Sequence, residues 1–349
     1  MNSEPSDAGD PDDPPSLAMQ RSVATRESVA TRHSVATRPL VGRFAPSPTG
    51  AQHLGNARTY LIAYWAARSA GGSIRMRIED VDSPRVKPWA IQQAIDDLLW
   101  LGLSWDGEIV VQTERRQRYR QLLDQMIAAN FVYPCKCTRK DIEAAGSAPH
   151  FEHEQPIYPG TCSGWRGGDP LPEPGKFAWR FRTPDRQIKF IDQLHGSQLA
   201  NVQQHLGDFP ITQKSGEVSY QFAVVVDDAD AGVNHVVRGD DLLTSTFRQI
   251  AVAESLSLSI PSYLHVPLVL GPDGRRLAKR HGDTRLSSLR DDGVEAMQVV
   301  DWAARSSGVW TKESSVRDVD EVSEVFAISR LRRDAVIADP DRLNWLGKP

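Results

Sequence analysis

The sequence predicts an α/β fold on a parallel sheet, from three observations. Leu40–Phe44 is a short apolar run of the kind a buried strand needs. Ala57, Tyr60, Leu61, Tyr64 and Trp65 then recur at helical spacing, and Gly71–Gly72 stop that helix. Ile74, Met76 and Ile78 alternate with Arg75, Arg77 and Glu79, the period-two pattern of a strand. A strand, helix and strand in that order close by a right-handed crossover, so the two strands run parallel.

The later elements follow the same periodicities. Ile91, Ala94, Ile95, Leu98 and Leu99 predict a helix ending near Gly102, and Tyr119, Leu122, Leu123, Met126 and Ile127 predict another. Residues 134–215 change character: Pro, Gly and polar residues dominate, and every cysteine lies there, so the stretch reads as an insertion. Strand-like runs resume at Phe222–Val226, Val233–Arg238 and His265–Leu270. Ser245 is placed to cap a helix containing Ile250 and Leu256, Pro272-Asp273-Gly274 is a turn, and the tail from Leu286 has helical stretches. Ahead of all this, an acidic, Pro- and Ser-containing start leads into three copies of Ser-Val-Ala-Thr-Arg, at Ser22–Arg26, Ser28–Arg32 and Ser34–Arg38. So short a repeat cannot bury a core, and residues 1–38 read as a disordered tail. The expected organisation is therefore 1–38 tail, 39–133 with 216–275 as the sheet domain, 134–215 as the insertion, and 276–349 as a basic loop with a helical C-terminal part.

Composition excludes several classes. A chain that is 40% hydrophobic and 25% charged is that of a soluble globular protein. No apolar run approaches the roughly 20 residues of a membrane helix, and the acidic start is no secretory signal, so a cytoplasmic protein is expected. Three cysteines are too few and too uneven for a disulfide framework. With a formal net charge of −4, any nucleic-acid contact needs a local basic patch. Arg115, Arg116, Arg118 and Arg120 on a predicted helix are one candidate, and Arg332–Arg333 are another.

Between the first strand and helix stands "RFAPSPTGAQHLGN", Arg43 to Asn56. Ligands bind at the carboxyl edge of parallel strands, and a helix N-terminus there offers N–H groups and partial positive charge to a phosphate. Small residues let a ligand approach the backbone, Gly55 leaves room for an adenine ring, and His53 and Asn56 can donate hydrogen bonds. The segment has the chemistry of a nucleotide site. Arg43, Glu79 and Arg238 stand at strand ends, where an arginine fork matches a carboxylate and a glutamate matches an ammonium. Cys135-x-Cys137 with Cys162 supplies three thiolates toward the four ligands of a closed zinc site, and His150 or His153 could supply the fourth.

Read together with "RIEDVDSPR", "SYQFAVVVDD" and "VVRGDDLL", the segment resembles class I glutamyl-tRNA synthetases over roughly residues 40–300. His53-Leu54-Gly55-Asn56 stands where that class carries its HIGH motif, and Leu277-Ala278-Lys279-Arg280 where it carries KMSKS, with Arg276 replacing the first lysine. Only about 70 residues follow Lys279, so the chain most resembles the truncated paralogues, the glutamyl-Q tRNA(Asp) synthetases. That resemblance implies a Rossmann-like parallel sheet with an inserted zinc-bearing acceptor subdomain, a short helical C-terminal part and no anticodon-binding domain. It implies ATP-dependent activation of L-glutamate and transfer to the queuosine base of tRNA(Asp), by a monomer, with Mg²⁺ accompanying ATP. Carried over by position, Arg43, Phe44, Ala45, Pro46, Ser47, Glu79, Tyr220 and Arg238 contact glutamate. His53, Gly55, Asn56 and Lys279 contact ATP, with His53 and Lys279 catalytic, and Cys135, Cys137, Tyr158 and Cys162 hold zinc. The rival readings are a minimal synthetase charging a tRNA 3′ end, a small nucleotidyltransferase and a non-catalytic tRNA-binding paralogue.

Overall fold

In the structure, a computed structural model, residues 38–81, 86–145, 157–275, 277 and 284–338 are described. The expected tail, His150, His153, Arg276 and Lys279 thus fall outside the described residues, Arg38 excepted.

The chain begins with β1 (Val41–Phe44), α1 (Leu54–Arg68) and β2 (Ser73–Ile78). It continues through α2 (Pro88–Trp100), β3 (Ile109–Val111), α3 (Arg116–Ala128), β4 (Val132–Cys135) and α4 (Arg139–Ala145). Next come β5 (Ala178–Phe181), β6 (Gln187–Asp192), β7 (Gly196–Asn201), α5 (Val202–Leu206) and β8 (Phe209–Pro210). Then follow α6 (Tyr220–Asp230), β9 (His235–Gly239), α7 (Leu243–Ser255), β10 (Ser262–Val266) and β11 (Val269–Leu270). The last are α8 (Leu286–Asp291), α9 (Ala296–Ser307), α10 (Val319–Val325) and β12 (Val336–Ile337).

Strands β1, β2 and β3 pair in parallel, from Val41↔Ser73 to Phe44↔Met76 and from Met76↔Ile109 to Ile78↔Val111. A second sheet has the order β7-β6-β10-β9, with β9, β10 and β6 parallel and β7 antiparallel to β6. Asn234 joins the two. Its backbone N–H donates to the Val41 carbonyl (3.0 Å), and its side-chain oxygen accepts from the Val41 N–H (2.8 Å). β1 therefore lies beside β9, and their carboxyl ends share an edge, as the α/β expectation requires. Helix α1 packs behind this seam with Leu54, Ala57, Leu61, Ile62 and Trp65 fully buried, and Trp65 Nε1 donates to the Val319 carbonyl of α10 (3.0 Å). Gly72 does more than stop α1: a Cβ there would stand 2.3 Å from the Leu40 carbonyl oxygen, so only glycine lets the chain turn back against β1.

Four sequence expectations change. Phe222–Val226 is helical, within α6, not a strand. Residues Phe222 to Asp228 are all buried there, so the segment is apolar all round and shows no helical stripe. Ser245 lies inside the first turn of α7, whose cap position is Leu242. The run His265–Leu270 spans two strands, broken at Pro267, where proline cannot donate to a ladder. Within 134–215, β4, β5 and β8 form a separate antiparallel sheet, but the β6–β7 hairpin hydrogen-bonds into the main sheet through β10. Among the described residues no helix is long and apolar enough to cross a membrane.

Candidate functional site

The turn after β1 delivers His53 to the N-cap of α1 in an extended conformation (φ −126°). Its Nδ1 accepts from the Gly55 N–H (3.1 Å), while Asn56 Oδ1 accepts from the His53 N–H (3.1 Å). The two side chains thus close a reciprocal capping box, and a neutral His53 carries its proton on Nε2. A Cβ on Gly55 would lie 3.0 Å from the His53 ring and 3.5 Å from Val269, so any larger residue would press on the His53 ring. The chain returns from the basic loop at Thr284, whose carbonyl accepts from the Leu54 N–H (3.0 Å), and Leu286 N–H donates to the Gln52 carbonyl (2.9 Å). The exit of that loop is therefore stitched to the start of α1.

Beside this helix end, β1 and β9 each contribute one buried arginine. Arg43 is 8% exposed. Its Nη1 donates to the Val237 carbonyl across the seam (2.7 Å), and its Nε stands 3.7 Å from Asp228 without a hydrogen bond. Arg238 is 5% exposed. Its Nε donates to His265 Nε2 (3.0 Å), Nη1 to Gln249 Oε1 (2.8 Å) and Nη2 to Thr246 Oγ1 (2.8 Å). All three acceptors are neutral, and no carboxylate pairs directly with Arg238 among the described residues. The ring of Tyr263 lies under it, 5.4 Å from the guanidinium carbon.

A third arginine, Arg77 at the end of β2, is saturated. It donates to Asp228 (2.6 Å) and Glu79 (2.9 Å), and its Nε is 3.7 Å from Asp227. Burial weakens the hold of Arg77 on its proton, but Asp228, Glu79 and Asp227 outweigh that and keep it firmly charged. Burial pushes the Arg43 guanidinium below its ordinary range; Asp228 opposes this, while Arg77 and Arg238 reinforce it. Burial likewise pushes the Glu79 carboxyl up, with Arg77 pulling it back. It pushes the Tyr220 phenol up, with Arg238 opposing. These mutual effects place Arg43, Glu79, Tyr220 and Arg238 in one electrostatic neighbourhood. Ser47, exposed, donates to Glu79 at 3.4 Å, and the Glu79 N–H donates to the Pro46 carbonyl (3.0 Å), which anchors the backbone of Ala45 and Pro46 at the mouth. Phe44 turns its ring into the core against Tyr60 (5.8 Å between centroids), leaving only its backbone for a ligand.

Sequence reasoning passed over Arg77, Asp228, His265, Gln249 and Thr246. Arg77 followed an alternation that reads as outward-facing, yet it is 3% exposed. The usable signal was the pair Asp227-Asp228 at the end of an apolar run: buried acids need buried bases. The basic run on α3 is largely committed inside the molecule. Arg115 pairs with Asp227 (2.6 Å) and Asp230 (2.5 Å), Arg116 with Glu217 (2.8 Å) and Arg118 with Asp230 (2.9 Å), whereas Arg120, Arg332 and Arg333 are exposed.

At the end of β4, the Cys135, Cys137 and Cys162 sulfurs lie within 4.8 Å of one another. The Tyr158 hydroxyl stands 3.4 Å from Cys135 Sγ and 3.6 Å from Cys137 Sγ, and the two sulfurs of Cys137 and Cys162 are 3.7 Å apart. A tetrahedral zinc with Zn–S of about 2.3 Å and Zn–O of about 2.0 Å would set S···S edges of about 3.8 Å and S···O edges of about 3.5 Å. The Cys137–Cys162 edge and the two Tyr158 edges match such an ion, and the other sulfur separations stay within 4.8 Å, so the cluster could hold one with Tyr158 at the fourth corner. Its oxygen is oriented by the Cys162 N–H (2.7 Å), and the Arg180 guanidinium stacks 3.9 Å from its ring centre. Burial pushes the Tyr158 phenol and the Cys137 thiol up, whereas hydrogen bonds, Tyr158's foremost, hold Cys162 below its ordinary value against burial.

Comparison with known proteins agrees with this geometry. The family model of class I tRNA synthetases (E and Q), catalytic domain, matches residues 39–345. A glutamyl-Q tRNA(Asp) synthetase of Rhodopirellula baltica is 53% identical over 320 residues, spanning 86% of this chain and 96% of the relative. Its counterpart in Symbiobacterium thermophilum is 44% identical over 312 residues, spanning 85% and 95%. A glutamate–tRNA ligase 1 of Acidithiobacillus ferrooxidans is 36% identical over 310 residues, which is 87% of this chain but 64% of that ligase. The crystal structure of a glutamate tRNA ligase from Elizabethkingia meningosepticum in complex with its amino acid superposes with a TM-score of 0.75 at 25% identity, covering 88% of this chain and 68% of that one.

Arg77 holds three buried carboxylates, so Arg77→Met is expected to cost about 3–5 kcal/mol of folding stability in urea titration. An unchanged midpoint and slope would show that those ion pairs are not formed.

Proposed function

The chain belongs to the class I glutamate and glutamine tRNA synthetase family and, within it, to the glutamyl-Q tRNA(Asp) synthetases; from that footing we propose that it activates L-glutamate with ATP and passes it to the queuosine base of tRNA(Asp). The observation that carries the glutamate half is the pair Arg43 and Arg238, buried on adjacent strands, with Arg238 held only by neutral acceptors. A dicarboxylate supplies the negative charge this seam lacks. Glutamine would leave a buried guanidinium against an amide, which is how such a site rejects it. Glu79 receives the substrate ammonium on the oxygen facing Ser47, its other oxygen being held by Arg77. Tyr220 adds a neutral hydrogen bond.

Activation needs no enzyme nucleophile. A glutamate carboxylate oxygen attacks the α-phosphorus of ATP, the new C–O–P bond forms, and the bond to pyrophosphate breaks. The protein positions the reactants and neutralises charge on the phosphates. His53, Gly55 and Asn56 line the N-terminus of α1, where backbone N–H groups and the helix dipole favour a phosphate. Lys279, assigned by its place in the KMSKS-like segment, would supply a cation to the triphosphate. Mg²⁺ would accompany ATP and help neutralise its phosphates. In the second step an acceptor hydroxyl attacks the acyl carbon and AMP leaves. Cys135, Cys137, Tyr158 and Cys162 would hold a structural zinc beside the inserted β4–β5–β8 sheet, with no step of the transfer passing through it.

Glutamate-dependent ATP–pyrophosphate exchange should proceed without tRNA. With labelled glutamate, nuclease digestion of charged tRNA(Asp) should release the label on queuosine and none when the tRNA lacks queuosine. Label on the 3′ adenosine of tRNA(Glu) instead would make the chain a minimal ordinary synthetase. Elemental analysis should find about one zinc per chain, absent from Cys162→Ser. A variant that keeps its full zinc content would remove Cys162 from the ligand set.

A further inference from the structure

Arg238 is fixed by a chain of buried groups that reaches back to the β6–β7 hairpin. An arginine Nε can only donate, so His265 Nε2, 3.0 Å away, must accept. The proton of His265 therefore sits on Nδ1, which donates to Asp192 Oδ2 (2.7 Å). Neither His265 nor Asp192 has an exposed side-chain atom. Asp192 is in turn pinned from all sides: its Oδ2 also accepts from the His265 N–H (3.0 Å), and its Oδ1 accepts from Leu194 and His195 N–H (2.9 Å each). The imidazole has one tautomer and one orientation open to it, and it is neutral. Burial, the largest influence, agrees, pushing the His265 imidazolium below its ordinary range against the pull of Asp192. Thr246 and Gln249, one turn apart on α7, hold the two remaining nitrogens of Arg238.

We propose that His265, oriented by Asp192, is a positioning residue for the substrate carboxylate, acting through Arg238. The charge arithmetic explains why the carboxylate stands one residue removed. Were Asp192 in direct contact with Arg238, it would neutralise the guanidinium, and an incoming carboxylate would have to displace it. With a neutral imidazole between them, Arg238 is held rigidly in one plane while its full charge stays available to a ligand. The arrangement also gives the β6–β7 hairpin a role. Asp192 is the last residue of β6, and the parallel pairing of β6 with β10 at Tyr263↔Asp192 is what sets it beside His265. The segment expected to belong wholly to the insertion thus supplies the anchor for an arginine two strands away, on β9.

The proposal rests on the reading that Arg238 meets a glutamate carboxylate, and the test separates the two. His265→Asn keeps an N–H near the Nδ1 position for Asp192 and removes the acceptor of Arg238. His265→Gln places an acceptor near Nε2 and loses the bond to Asp192. In glutamate-dependent ATP–pyrophosphate exchange, His265→Asn should raise KM for glutamate about ten-fold while KM for ATP stays within about two-fold, and His265→Gln should recover most of the loss. Arg238→Gln should raise the glutamate KM further than either. ¹⁵N NMR of the wild type should show a neutral His265 protonated on Nδ1. A glutamate KM unchanged in His265→Asn, equal rises for both substrates, or an imidazolium at neutral pH would each overturn the positioning role. An unaffected glutamate KM in Arg238→Gln would instead overturn the reading of the site itself.

Discussion

Burying guanidinium groups without giving each its own carboxylate is the constraint on which this site depends. A lone charge in the interior is costly, and the protein meets that cost unevenly. Arg77 takes Asp228 and Glu79 outright. Arg43 has a carbonyl and a distant share of Asp228, and Arg238 has an imidazole, an amide, a hydroxyl and, at 3.5 Å, the Leu242 carbonyl, all neutral. The deficit of negative charge is thus concentrated on the two strands that flank the α1 N-terminus. On the proposed reading, a small molecule with two carboxylates and one ammonium would complete the set, and the same shortage would disfavour its amide analogue.

The rest of the architecture keeps that imbalance from collapsing. The Asn234 bridge holds β1 and β9 side by side, so the two arginines cannot drift apart. The Gly72 turn lets α1 sit tightly behind β1. The His53–Asn56 capping box fixes the helix end at which a phosphate would arrive. On the proposed reading these two residues carry a chemical task beside the structural one, so their substitution would disturb both the helix start and the proposed nucleotide site.

Much of this was legible in the residues alone. Arg43, His53 and Arg238 stand at strand or helix ends next to Pro- and Gly-rich turns, and such junctions are where an α/β fold places its ligands. The three cysteines group by their spacing, whereas Tyr158 joins them only through the Tyr-x-x-x-Cys pattern that the family resemblance supplies. What escaped is what periodicity does not record. Helix α6 is buried all round, so Phe222–Val226 carries no stripe and passes for a strand. The β6–β7 hairpin lies in a polar, irregular stretch, and its pairing with β10 is a long-range contact that local pattern does not encode. Arg77 and His265 were missed for one shared reason: alternation along a strand says which side a residue faces, not whether that side is water.

The claim that an unfilled buried charge selects the substrate is tested most directly by titration calorimetry with L-glutamate and L-glutamine. The account predicts measurable glutamate binding and glutamine binding weaker by two orders of magnitude or more, on the order of the discrimination that an unpaired buried polar group imposes. Equal affinity for the two amino acids would contradict it.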